Sequence, residues 1–191
     1  MGTKTIMIGM EGMTLEKLVK IARQGAHVKL TEGSEQRLRE TRRLIEKWVE
    51  EEKTIYGVTT GFGALSDVVI SKKDTRRLQE NILMSHAAGV GEPLDEESVR
   101  AAMVLRIKDF ARGHSGVRLE TVQHLIALHN WGVCPVIPAK GSVGASGDLA
   151  PLAHLSLVLI GLGEAFYKGQ RMTGRQVLSK CGLKPIQLEA G

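Results

Sequence analysis

The sequence predicts a mainly α-helical fold interrupted by glycine-rich loops, on three observations. Six segments repeat apolar residues at helical spacing. Most of these follow a Thr, Ser or Asp placed where a helix cap belongs. The stretches between them carry Gly and Pro, and aromatic residues make up only 4% of the chain, so the core must rest on Leu, Ile, Val, Ala and Met.

In chain order, Thr14 is the expected cap of a helix reaching about residue 24, with Leu15, Leu18, Ile21 and Ala22 on one face. Ser34 is the expected cap of a long helix to about residue 51, turning Leu38, Ile45, Trp48 and Val49 inward. Asp74 opens a third, with Leu78, Ile82 and Leu83 apolar. Asp95 precedes a fourth over 96–112, striped by Val99, Ala102, Met103 and Phe110. Residues 119–130 repeat the pattern through Val122, Leu125 and Ile126. The last helix starts at Asp148 or Leu149, takes Pro151 in its first turn and is apolar almost all round to 163, which asks for burial among other helices. Residues 29–33, 53–63 and 133–141 read as extended, and Pro135 and Pro138 argue against a central strand in the last of these.

A length of 191 residues, 42% hydrophobic and 25% charged, suits one soluble domain, here taken as 1–191. The net charge of +5 is spread among acids, as in "RLRETRRLIEKWVEEEK" (37–53), so a solvated helix face is expected there and no nucleic-acid partner. Cys134 and Cys181 lack metal-ligand spacing and read as reduced thiols, with no metal site implied. The N-terminus has no signal-peptide pattern, and the apolar stretch 149–163, with His154 and Ser156 inside it, is too short for a membrane span. A cytoplasmic location is the expectation.

The densest chemistry lies in "GSVGASGDLAPLAHL" (141–155). A phosphate loop needs a Lys after its last glycine, and none is there. A nucleophile elbow needs Gly-x-Ser-x-Gly, and Ser146 is one residue out of step. A dinucleotide loop needs three spaced glycines, and "GFGALS" (61–66) lacks the third. What remains is backbone chemistry. A sharp turn through Ala145, Ser146 and Gly147 would let the Gly147 nitrogen reach the Ala145 carbonyl carbon, close a five-membered ring, and shed the Ser146 hydroxyl as water. By itself the tripeptide reads first as a plain glycine-rich turn leading into a helix.

Four blocks in order, "YGVTTGFGAL" (56–65), "LQENILMSHAAGVGEPL" (78–94), "RGHSGVR" (112–118) and "PVIPAKGSVGASGDLAPLAHL" (135–155), resemble the aromatic amino acid ammonia-lyase family, and within it the histidine ammonia-lyases. The resemblance spans roughly residues 13–188 and implies the N-terminal part of the fumarase/aspartase-like helical fold. It implies that Ala145, Ser146 and Gly147 form the cofactor 4-methylidene-imidazole-5-one (MIO) within the chain, with no external cofactor. The reaction implied is elimination of ammonia from L-histidine to give urocanate. Covalent attachment at the amine makes nitrogen a better leaving group; attachment through the imidazole ring stays open.

The resemblance also implies roles for single residues. Tyr56 matches the family's catalytic tyrosine and would take the β-proton. A phenol titrates near ~10, so that role needs dipoles or cations close by. His86, in the Ser-His pair of the histidine-specific members, would exchange a hydrogen bond with the substrate imidazole, or else be an ordinary satisfied helix histidine. Gly63 would fold the tyrosine loop over the site, and Asn81 would support it. His114 and His154 read as structural, while Asp148 either caps its helix or positions the backbone for cyclisation.

The family's substrate-carboxylate arginine, second tyrosine and active-site asparagine have no counterparts here, because the C-terminal helical half is absent from this chain. Two explanations follow: a second polypeptide completes the site, or the chain is a truncated, inactive fragment. Family members form tetramers, so association is expected. The competing readings are a non-catalytic assembly or regulatory subunit, and a lyase or aminomutase for another aromatic amino acid.

Overall fold

The computed structural model describes residues 4–61 and 72–189. β1 (Thr5–Ile8) pairs in parallel with β2 (His27–Leu30), in register Thr5 to His27 through Ile8 to Leu30. Parallel pairing needs a crossover, and α1 (Leu15–Ala22) supplies it, capped by the Thr14 side chain as expected. Leu15, expected inward, is instead exposed, because Ile21 and Ala22 carry the buried face. α2 (Glu32–Glu50) starts earlier than its sequence pattern suggests: Thr31 is the cap, and Ser34 is buried inside the first turn, accepting the Arg37 guanidinium at 2.8 Å.

α3 (Lys72–His86) takes Asp74 into its first turn. β3 (Val90–Pro93) follows and pairs antiparallel with β5 (Pro138–Lys140). α4 (Glu96–Phe110), capped by Asp95, and α5 (Leu119–Asn130) fall where the sequence puts them. β4 (Cys134–Pro135) is the edge of a three-stranded sheet in the order β4-β6-β7, a position that tolerates Pro135. α6 (Leu149–Leu159) ends four residues before the expected 163. Gly161 and Gly163 take positive φ there and turn the chain into the hairpin of β6 (Glu164–Tyr167) and β7 (Gln170–Thr173). α7 (Gly174–Lys180) closes the fold behind a full capping box of Thr173 and Gln176. The expected mainly helical architecture is observed, with seven short strands among the described residues, of which β2, β4 and β5 overlap the stretches read as extended.

α4 is the central helix. Val99, Met103, Val104 and Ile107 are fully enclosed, packed by α1 on one side and α5 on the other. Its buried Arg100 donates to the carbonyl of Ile21 at 3.2 Å and of His129 at 3.4 Å, placing a cation at the C-terminal ends of α1 and α5. Next to it the Asn130 side chain accepts from the Val28 N–H and donates to the Val28 carbonyl, both at 2.9 Å, so α5 ends stitched to the edge of β2. α6 packs on α3, α5 and α7, which gives its apolar surface the neighbours it asks for, apart from Leu149 at its start. Cys134 and Cys181 are buried free thiols, and burial pushes the first up to about 11 and the second upward as well. No helix among the described residues is long and apolar enough to cross a membrane.

His129 has no exposed surface, and burial, reinforced by Arg100, lowers its pKa to about 4. The folded ring stays neutral while the unfolded one protonates below about 6.5. The resulting stability is complete above the unfolded value and drains away as pH falls towards the folded one. We expect this group to remove about 3 kcal/mol between pH 7.5 and pH 4. Urea unfolding across that range should show a shallower acid slope in His129→Gln than in the parent chain.

Candidate active site

The segment around Tyr56, expected to be extended, is a series of turns. Buried Thr59 and Thr60 build it. The Thr59 hydroxyl accepts from the Ile55 N–H at 2.9 Å and donates to the Lys53 carbonyl, and Thr60 accepts from the Gly57 N–H at 3.3 Å. Side-chain hydroxyls thus satisfy backbone groups that a strand would have paired with another strand. Tyr56 stands on the outer side of this knot, 63% exposed. Gly63 lies outside the described residues.

His86 ends α3. Its Nδ1 is 2.9 Å from the Ile82 carbonyl, an acceptor only, so Nδ1 carries the proton and Nε2 is the acceptor of the neutral ring. Ser85, its neighbour, donates to the same carbonyl at 3.0 Å and lies 3.2 Å from Nδ1. A histidine held this way offers an acceptor, with its tautomer fixed by the helix end.

The loop before α6 is braced from beneath. Gly141 sits at φ +131° with its backbone so near Gly89 that a Cβ would come within 2.7 Å of the Gly89 Cα. Gly89 in turn donates its N–H to His154 Nε2 of α6 at 3.0 Å. His154 is therefore structural, as expected, and burial lowers its pKa, in keeping with a neutral acceptor. Higher in the loop, the Ser142 hydroxyl donates to the Gly147 carbonyl, and the Ser146 hydroxyl donates to Asp148 Oδ1 at 2.5 Å. Of the two roles open to Asp148, capping does not occur: it occupies the cap position in helical geometry and makes no side-chain cap bond.

These pieces border one cleft of about 510 Å³, which the 141–147 loop reaches only through Asp148: Ala145, Ser146 and Gly147 do not line it. Tyr56, His86 and Asp148 all line it, brought together from three separate blocks of sequence. The apolar wall comes from Ile82 and Leu83 of α3 and from Leu149, Leu152 and Leu155 of α6. Asn81 is exposed on α3 and does not line the cleft, because Ile82, Leu83 and His86 form the face turned to it. Arg106 and Phe110 of α4 do line it and escaped the sequence reading. Phe110 belonged to a stripe read as core, and Arg106 was not singled out. The guanidinium lies 4.4 Å from the Phe110 ring centre and pairs with Asp109 at 3.0 Å.

Ala145, Ser146 and Gly147 suit a ring formed from the chain. Gly147 has φ +69°, a conformation that favours glycine, and a Cβ there would lie 2.7 Å from the Ser142 hydroxyl. Ala145 and Ser146 are exposed, leaving room for the backbone to rearrange, and Asp148 holds the Ser146 hydroxyl in one orientation.

Residues 13–191 match the aromatic amino acid lyase family. The chain is 52% identical over 185 residues to the histidine ammonia-lyase of Alkaliphilus oremlandii, covering 97% of this chain and 36% of that protein. Among solved structures, the phenylalanine aminomutase of Pantoea agglomerans is similar with a TM-score of 0.90 at 32% identity, over 98% of this chain and 36% of the other. The histidine ammonia-lyase of Trypanosoma cruzi is similar with a TM-score of 0.88 at 34% identity, over 97% and 36% respectively. The chain thus spans little more than a third of the length of these relatives.

The His154 brace can be tested by stability. His154→Leu leaves the Gly89 N–H without its acceptor and should cost about 1 kcal/mol in urea unfolding at pH 7.5, whereas His154→Gln, which keeps an acceptor, should recover part of that loss.

Proposed function

This chain belongs to the aromatic amino acid lyase family, and we propose that it carries the electrophile-forming part of a histidine ammonia-lyase. The observation that carries this reading is that Tyr56, His86 and Asp148 line one cleft, with the Asp148 carboxylate holding Ser146. Ala145, Ser146 and Gly147 would form MIO, and the chemistry that group supplies is electrophilic activation of the substrate amine as a leaving group.

The other steps fall to side chains of this chain. His86 Nε2 accepts the N–H of the substrate imidazole, and the Ile82 carbonyl keeps the ring in that tautomer. A site arranged to exchange that bond disfavours a phenyl ring, which cannot reciprocate. The Tyr56 oxygen takes a proton from the substrate β-carbon. The electron pair left behind forms the Cα–Cβ double bond as the C–N bond breaks, giving urocanate and ammonia. Leu149 and Leu152 provide an apolar floor that displaces water from the reacting atoms.

The reading includes a completing segment. Tyr56, His86 and Ser146 are all exposed, and nothing on the described surface closes over them. We therefore assign substrate-carboxylate binding and closure of the cleft to further lyase sequence on a second chain, within an oligomer.

The test is reconstitution. Co-expressed with the C-terminal segment of a curated histidine ammonia-lyase, the chain should release urocanate from L-histidine, followed by its ultraviolet absorbance. Tyr56→Phe should lower kcat by roughly 10²–10⁴-fold, and Ser146→Ala should abolish turnover. Release of product from L-phenylalanine or L-tyrosine instead would move the assignment to another aromatic substrate, and no turnover with any of the three would favour a non-catalytic subunit.

A further inference from the structure

We propose that Ser142 is a positioning residue for ring formation: its hydroxyl clamps the 141–147 loop shut and speeds closure of the Ala145-Ser146-Gly147 ring. This inference rests on the reading above, since it concerns how the electrophile is made.

Ser142 donates to the carbonyl of Gly147, five residues on, so one hydrogen bond ties the two ends of the loop together. The fit is mutual. Gly147 holds φ +69°, and any Cβ would strike the Ser142 oxygen at 2.7 Å. Below the clamp the loop cannot slide, because Gly141 is pressed on Gly89, and His154 holds Gly89. Above it, the Ser146 hydroxyl is engaged by Asp148. The two serines therefore have separate work: Ser146 is the residue transformed, and Ser142 shapes the bend that transforms it.

The chemistry explains why such a clamp matters. An amide nitrogen is a poor nucleophile because its lone pair is delocalised into the carbonyl. Closure forms a bond from the Gly147 nitrogen to the Ala145 carbonyl carbon. The Ala145 oxygen leaves as water with the amide hydrogens of Ser146 and Gly147, and the Ser146 nitrogen becomes doubly bonded to the former carbonyl carbon. The Ser146 hydroxyl leaves with the hydrogen on its Cα as a second water. Nothing is oxidised or reduced, and no co-reactant is needed. A reaction with so weak a nucleophile depends on holding the two atoms close, and fixing the loop in advance removes that entropic cost.

The experiment follows the mass of the intact chain after a pulse of synthesis, comparing the parent with Ser142→Ala and Ser142→Thr. The parent should become lighter by two water molecules. Ser142→Ala should do so roughly five-fold more slowly, the effect of one neutral hydrogen bond, with an unchanged thermal midpoint, and Ser142→Thr, which keeps the hydroxyl, should stay near the parent rate. Equal rates for the parent and the Ala variant overturn the clamp and leave the electrophile standing. A parent chain that keeps its full mass also when co-expressed with the C-terminal lyase segment overturns the electrophile itself.

Discussion

The contact of Gly141 on Gly89 is the constraint from which the rest of the site follows. Two backbones meet there with no side chain between them, and the helix α6 reaches in with His154 to fix one of them. The antiparallel pairing of β3 with β5 runs out from this junction, so the end of α3 and the start of α6 are held at a set separation. The cleft is the space that separation leaves. His86 stands on one rim because α3 ends there, and Asp148 on the other because α6 begins there. A side chain at either glycine would wedge the rims apart, and the loss would appear as misplaced chemistry before it appeared as unfolding.

The division of polar labour follows the same geometry. Several enclosed polar groups of the scaffold are spent on backbone partners: buried Arg100 on helix ends, half-buried Asn130 on β2, buried Thr59 and Thr60 on the tyrosine turn. A hydrogen bond satisfied this way adds little net stability, but leaving its buried partner unmade costs more, so these groups specify one arrangement. The groups assigned to chemistry are different. Tyr56, His86 and Ser146 are exposed, and local hydrogen bonds orient the last two without enclosing them.

How much of this the sequence carried depends on the range of the interactions involved. Thr14 and Asp95 announced their helices correctly, because a cap bonds within three residues of itself. Thr31 and Ser34 were both legal caps, and the choice was made by Arg37, which draws Ser34 into the helix and so leaves Thr31 as the boundary. β1, β2 and β3 are four residues each, with partners far along the chain, and no local period reveals such strands. The β6–β7 hairpin was legible and missed: Lys168 and Gly169, at φ +50° and +75°, form a two-residue turn of the kind usually signalled by Asn-Gly. So was the Thr173–Gln176 capping box of α7. In the site, the family motifs supplied Tyr56, His86 and Ser146, yet Ser142 sat in the same motif unread, because a Ser in a glycine-rich loop has no local pattern to distinguish it.

On the proposed reading, the exposure of these side chains sets what a completing segment would have to do. A proton leaving a carbon in open water would meet competing bases and a high dielectric, and the fixed dipoles around Tyr56 would count for little. Leu149 is 58% exposed and Val143 82% exposed beside the same loop, an apolar border that water wets unfavourably. A covering segment that buries those two residues would also lower the dielectric around Tyr56 and His86, so one docking event would both stabilise the helix start at Leu149 and strengthen the interactions that the chemistry uses. On the proposed reading, assembly and catalysis would share one free energy, and the loop held by Ser142 and His154 would be part of the surface on which they meet.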